Sequence, residues 1–479
     1  MLGDYPASTC DLAEPPDAFS RMPLNMATFW AGDDDEKRAL DVLVRRADER
    51  GYDVSAWLPD NRVKAQLRIK DSFDNKDDEQ LPDVIQVNGG SDVLRWVSQR
   101  AGEETDLCPL DHLREKDDWA GDYFGSALDP LTCRRQLFGL PIGIHRLNLL
   151  FYNRAVYQEL QAMAAPHGLT LRDPSELGSV ADLLEELQVI AKLKAKSPSR
   201  AALVPLALGA SDVWPLTVLA FENVLLSLSR EAYRTLWLGE LAHDDGEGTQ
   251  LLERELRHML EVLRALVEHS NSAARVEWQT AMTQVGSGEA LMTVTGDWGW
   301  AQLTDAERDH VATVPYPGTA DSFVYTPDSF AVPRELGKNG FPARSFLRDV
   351  VADKAALIEF SNQKHSIPAR SDLTPDEVAT LGTESMRRTY ERYAECDARA
   401  NGCEPLLAVS GLAPPPGAQP CTDDVDALLT LAVTGHREPP EPEQRLCTEG
   451  FPYTSAAAEE RLIELLLSVA KARFAADCR

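Results

Sequence analysis

Short apolar runs bounded by turn residues alternate along this chain with longer stretches of helical periodicity. Leu24 to Trp30 (LNMATFW) reads as a first strand, and Ala31-Gly32-Asp33-Asp34-Asp35 as a loop feeding a helix from Glu36 to Gly51. Aspartates in front of a helix suit its positive end. Asp53 to Trp57 reads as a second strand, Asn61 to Ser72 as a helix, and Phe73 to Gln80 as a charged loop. Pro82 to Gly90 (PDVIQVNGG) is then a strand running into a Gly-rich turn. Strand and helix in alternation predict a doubly wound α/β unit, whose ligands bind beyond the carboxyl ends of the strands.

The stretch from Phe138 to Asn153 (FGLPIGIHRLNLLFYN) reads as one long buried strand. Leu149, Leu150 and Phe151 form the apolar run of a strand covered on both faces, while Pro141 and Gly143 mark a bend. His145, Arg146 and Asn148 interrupt that run, and buried donors of this kind require partners or line a cleft. A helix from Arg154, a second from Pro174 to Lys196 and a strand from Val204 to Leu208 rebuild the alternation in a second unit. Helices dominate Val213 to Ser270, Ala290 to Gly296 is a strand ending in Asp297-Trp298-Gly299-Trp300, and Phe323 to Val332 looks like a return strand. A helix near Pro342 to Gln363 follows. Proline-rich Pro414 to Pro452 reads as a loop-rich insertion, and Ala457 to Ala475 as a closing amphipathic helix.

At 479 residues the chain exceeds a single core, and its formal charge of −29 argues against nucleic acid or an anionic membrane as partner. No window approaches twenty apolar residues free of charge, so no membrane-spanning helix is expected. The first residues lack a basic start and an apolar core, so a secretion signal is expected to have been removed or never present; Ser8-Thr9-Cys10 lacks the pattern of a lipoprotein site. No GxSxG, HExxH, GxxxxGK[ST] or strand-linked GxGxxG motif occurs, which speaks against an enzyme, and no cofactor or metal site is expected.

The segments TFWAGDDD, DVIQVNGG, GLPIGIHRLNLLFYN, VPLALG, VEWQTAM, TVTGDWGW, YTPDSFAVP and SNQKHSIPAR, in this order, resemble the extracellular solute-binding proteins (family 1) of ABC sugar importers, most nearly the glucose- and galactose-binding members. The resemblance covers roughly Leu24 to Ala413. It implies a type II, maltose-binding-protein-like periplasmic-binding-protein fold with two discontinuous lobes joined by hinge strands. Lobe one is expected at 24–143 plus 324–367 and lobe two at 144–323 plus 368–479, after an N-terminal extension 1–23, with crossings near Gly143, Phe323 and Pro368. It also implies a monomeric, periplasmic or otherwise extracytoplasmic protein that closes on a small carbohydrate, a monosaccharide such as glucose, and delivers it to the permease subunits.

Similarity to those members places Trp30, Asp34, Gln86, Asn88, Trp278, Trp298, Asp328, Lys364 and Ser410 in the ligand cleft, and His145 and Arg146 join them as donors on the crossing strand. A pyranose offers an apolar C–H face that stacks on an aromatic ring and a rim of hydroxyls that needs planar donors and acceptors, so these residue types fit. The plainer readings are that a tryptophan is usually core, that Asp297 caps a helix, that His145 is a satisfied strand histidine, and that the acidic run Asp33 to Glu36 is a solvated face. Where the glucose-binding relatives carry histidines this chain has Asn88 and Ser410, which leaves the sugar open. The alternatives are a hydrolase with Asp34 and Asp328 flanking a glycosidic bond, and a sensor that presents bound sugar to a receptor.

In an exported chain, eight cysteines without metal spacing imply disulfides. Closeness in sequence favours Cys108 with Cys133, Cys396 with Cys403 and Cys421 with Cys447, leaving Cys10 with Cys478, out of 105 possible pairings. Free thiols in a cytoplasmic protein are the other reading.

Overall fold

The computed structural model describes residues 21–57, 82–90, 106–111, 121–209, 213–237, 246–270, 276–334, 340–408 and 455–472, apart from 29, 31–33 and 134, together with 93, 97, 429, 432 and 433. By its contacts the chain divides into two compact units. The first comprises residues 1–145, 325–407 and 477–479, the second 146–324 and 408–476.

The first unit begins with β1 (Met22–Ala27) and β2 (Tyr52–Trp57), parallel along all six residues and joined by the helix Asp34–Glu49. That helix buries Ala39, Leu40, Leu43 and Ala47, the i, i+1, i+4 and i+8 positions of one stripe, against the sheet side of the unit. β3 (Val84–Asn88) runs parallel on the other side of β1 and is buried up to Asn88, which is half-buried. A two-residue pair, β4 (Thr132–Cys133) and β5 (Gln136–Leu137), precedes β6 (Leu140–Arg146), in which every residue is buried.

The second unit has its own four-stranded sheet: β7 (Leu149–Asn153), β8 (Val204–Ala207), β9 (Ala290–Thr295) and β10 (Val311–Pro315), in the order β10-β7-β9-β8. β8 and β9 are parallel, with β7 antiparallel to β9. Helices Arg154–Ala164, Val180–Lys196, Glu247–Glu268 and Trp278–Ser287 belong to this unit. The helix expected from Pro174 starts at Val180 instead, because Ser179 caps it by accepting the Asp182 amide, while Pro174–Glu176 forms a separate 3-10 turn.

The chain then returns through β11 (Ser322–Ala331), which inserts between β6 and β3, pairing antiparallel with β3. β12 (Ile367–Pro368) adds outside β6, and β13 (Glu404–Leu407) pairs with β11, so the first sheet runs β12-β6-β11-β3-β1-β2 with β13 off that path.

Two sequence readings differ from this architecture. The single strand expected over Phe138 to Asn153 is two strands in two sheets, broken at Leu147-Asn148. Residues 368–407, expected in lobe two, cluster with the first unit. The segment KHSIPAR does not leave that unit, because Arg370 pairs with Asp122 at 2.7 Å, and the helix Glu384–Asp397 sets Tyr390 and Tyr393 against Phe124 at centroid distances of 5.5 and 4.9 Å.

Cys396 and Cys403 are disulfide-bonded, as expected, tying the end of that helix to the residue before β13 across a Cα separation of 4.6 Å. Cys108 and Cys133 are each disulfide-bonded as well. Cys10, Cys421, Cys447 and Cys478 lie outside the described residues, as do the expected helix 61–72, the charged loop 73–80 and nearly all of 414–452. Among the described residues no helix is long and apolar enough to cross a membrane.

Candidate ligand-binding site

On the first unit, the sequence-predicted residues gather where β3 and β11 meet. Asn88 ends β3 and stands directly opposite Asp328, and Phe330 stands opposite Gln86, so all four side chains emerge on one face. Asp328 is buried, and His145 of the neighbouring β6 brings its Nε2 to 3.3 Å from the Asp328 Oδ2. Gln86 is buried and its Oε1 accepts from the Thr28 hydroxyl at 2.5 Å, which orients the amide. After Asn88 the chain turns at Gly89 and Gly90, and here glycine is required. Gly90 has φ +76°, and a Cβ on Gly89 would lie 2.6 Å from Pro130 Cβ and 2.8 Å from Pro327 Cγ.

Trp30 occupies a deeper position, and Lys364 beside it is buried as well. Trp30 is 1 % exposed and packs on Phe330 and Phe360, with ring centroids 5.5 and 5.0 Å away. The Lys364 ammonium lies 5.7 Å from the Trp30 ring centroid and pairs with Glu36 Oε1 at 2.7 Å. Glu36, expected on a solvated face, is therefore the counter-ion of a buried lysine. Asp34 opens the first helix, with its side chain outside the described residues, and Ser410 also lies outside them.

On the second unit, Arg146, Asn148 and Asp297 form a buried network. The Arg146 amide donates to Asp297 Oδ2 at 2.9 Å, its Nε donates to Asn148 Oδ1 at 3.1 Å, and its guanidinium sits 4.8 Å over the Phe323 ring. Asn148 Nδ2 donates to Thr319 Oγ1 at 2.9 Å and to the Ser322 carbonyl at 3.0 Å, while its Oδ1 also accepts the Val324 amide at 3.2 Å. The donors that interrupt the apolar run thus have protein partners. Asp297, expected as a helix cap, instead begins the 3-10 turn Asp297–Gln302 and accepts the Arg146 amide; the cap position is Gly296.

Trp278 opens the helix Trp278–Ser287 and Trp298 follows Asp297; both are half-buried, unlike Trp30. Each sits beyond the carboxyl end of a strand: a Cβ on Gly209 would lie 2.6 Å from Trp278 Cα, and one on Gly296 2.2 Å from Trp298 Cζ3. Chemically, the first unit offers a row of planar polar groups and a carboxylate, and the second offers two partly open indoles and a guanidinium held by cross-links. Sequence reading missed Thr28, Glu36, Gly209 and Gly296 as participants. The two glycines were visible only as turn residues, since what they touch is distant in sequence. Among the described residues no group of three or more His, Cys, Asp or Glu side chains is placed to hold a metal ion.

Residues 75–383 match the family model described as bacterial extracellular solute-binding protein. The chain is 27 % identical over 307 residues to the uncharacterized ABC transporter extracellular-binding protein PH1214 of Pyrococcus horikoshii, a match covering 62 % of this chain and 60 % of that one. It is 28 % identical over 389 residues to the xylose/arabinose-binding protein XacG of Haloferax volcanii, covering 77 % and 73 %. In fold it resembles a chitin oligosaccharide binding protein of known structure, with a TM-score of 0.64, 15 % identity, and 94 % and 99 % of the two chains covered. The fold is thus the two-lobed α/β fold of the bacterial solute receptors. With well over half of its length matched, the chain belongs to the bacterial extracellular solute-binding proteins.

Proposed function

We propose that this protein binds a small sugar outside the cytoplasm, a monosaccharide such as glucose, and delivers it to the permease of an ABC importer. The observation that carries the reading is the in-register pair Asn88 and Asp328, with His145 against the Asp328 carboxylate, at the end of β3 where an α/β sheet presents its ligands. A carboxylate accepts from two vicinal hydroxyls, and an amide both donates and accepts, which is what a sugar rim asks for. Trp298 and Trp278 supply apolar faces for the ring C–H groups. Charge-assisted hydrogen bonds of roughly 1.5 to 3 kcal/mol each, with one stacked ring, offset the cost of association and leave the ~8 kcal/mol of a micromolar complex.

The relatives support carbohydrate as the class and differ in its length: XacG is named for xylose and arabinose, the structural neighbour for chitin oligosaccharides. A thermal-shift screen of pentoses, hexoses, disaccharides and chito- and malto-oligosaccharides, followed by calorimetry, tests both levels. Saturable binding of a monosaccharide in the micromolar range is expected. Binding confined to oligosaccharides overturns the monosaccharide, and a flat response to every sugar overturns the carbohydrate reading.

A further inference from the structure

The backbone at Gly296 does not need glycine. Its φ of −76° and ψ of 175° are extended values that any residue adopts. What excludes a side chain is one neighbour: an ideal Cβ would lie 2.2, 2.3 and 2.5 Å from Cζ3, Cη2 and Cε3 of Trp298, three consecutive atoms of its six-membered ring. The indole therefore lies back on the bare backbone at the carboxyl end of β9. The turn that carries it is fixed from both sides. Asp297 is held by the Arg146 amide at 2.9 Å, and the Gly299 amide donates to the Gly296 carbonyl at 3.0 Å. A Cβ on Gly299 would itself lie 2.9 Å from Thr295 Cγ2, so the turn has no room to shift outward on that side. The neighbouring parallel strand β8 repeats the device, since Gly209, just past its end, is overlain by the backbone of Trp278.

We propose that Gly296 is a positioning residue: by lacking a side chain it seats the Trp298 indole against the end of β9 and so sets the height and tilt of the face offered to the sugar ring. This rests on the reading of Trp298 as a stacking residue given above. Stacking energy falls steeply with offset, so moving the indole by the width of a methyl group forfeits most of the contribution of that contact.

The test uses the whole chain labelled with 5-fluorotryptophan, with the Trp298 resonance among the nine tryptophans identified by its loss in Trp298→Phe. In Gly296→Ala the Trp298 resonance shifts while those of tryptophans remote from the turn stay in place; an unmoved Trp298 resonance overturns the proposal without reference to any ligand. For the sugar found in the screen, Gly296→Ala weakens binding on the order of tenfold, and adding it to Trp298→Ala costs nothing more, because both act through one contact. If Trp298→Ala loses affinity and Gly296→Ala binds like the parent, the seat is refuted while the stacking reading stands. If Trp298→Ala itself binds like the parent, the stacking reading falls, and with it the proposed role of the seat. Should Gly296→Ala not fold, the double variant with Trp298→Ala removes the clash and restores folding; failure of both overturns the steric argument.

Discussion

Asn148 cross-links the second unit through every polar atom of its side chain. It is fully buried, as are Thr319, Ser322 and Val324 around it, and both amide protons and the carbonyl oxygen are engaged. Asn148→Ala removes the acceptor of the Val324 amide and of Arg146 Nε, and the donor to the Ser322 carbonyl and the Thr319 hydroxyl. The Thr319 hydroxyl keeps the Tyr316 carbonyl at 2.8 Å, so its loss is small. Buried groups left without a partner cost about 1 to 3 kcal/mol each, and water entering the vacated space recovers part of that, so a loss of about 3 to 5 kcal/mol is expected. Urea unfolding followed by tryptophan fluorescence measures it. Asn148→Asp is the sharper variant, since it keeps the shape but turns two donors toward the Ser322 and Thr319 oxygens as acceptors, and it should lose at least as much above pH 5. A loss below about 1 kcal/mol for Asn148→Ala would show that the cross-links seen here do not hold the unit together.

Two further outcomes are expected. Replacing Cys396 and Cys403 by serine opens a loop of seven residues, whose closure entropy amounts to about 2 kcal/mol, and an unchanged urea midpoint would refute a staple at this place. For Asp372, burial alone would raise the carboxyl pKa, but the hydrogen bonds and charges of Arg370 and Lys354 outweigh it and hold the group down to about 2. A depressed carboxylate stabilises above its unfolded value and loses that contribution as pH falls through the folded value, so Asp372→Asn should cost about 1 kcal/mol at pH 7, after allowance for its partial exposure, and only a small part of that near pH 2. A pH-independent difference would contradict the assignment.

Much of this architecture was legible in the chain because short-range rules decided it. The apolar rhythm located β1, β2, β3, β8, β9 and β11 to within a few residues, and the resemblance carried their order into one fold. Reading failed where partners distant in sequence decide. Leu147-Asn148 carries no break signal, yet the Asn148 amide finds Thr319 and Ser322 and splits one apparent strand between two sheets. Glu36 sits in an acidic run that looks solvated, and only the return of the helix Lys354–Lys364 reveals its lysine. Trp30 and Trp298 are the same residue type in similar aromatic surroundings, but one is ringed by Phe330 and Phe360 and the other rests on a glycine with its surface partly open.

The position of β11 bears on how the chain reaches its native state. All four strands of the second sheet lie within residues 149–315, so that sheet can assemble from one continuous stretch. The first sheet cannot. β3 and β6 are held apart until β11 fills the gap, and the Asn88–Asp328 pair closes a loop of about 240 residues. Until then the N-terminal part consists of the β3-β1-β2 fragment and the lone strand β6, both with open hydrogen-bonding edges of buried-type residues, an arrangement prone to wrong pairing. A chain truncated before residue 322 should therefore aggregate on expression while 146–324 joined to 408–476 remains soluble, and comparable solubility of the two would argue against this order of assembly. The late strand makes the first unit the slow one, and Asn88 and Asp328 are among the last residues to find their places.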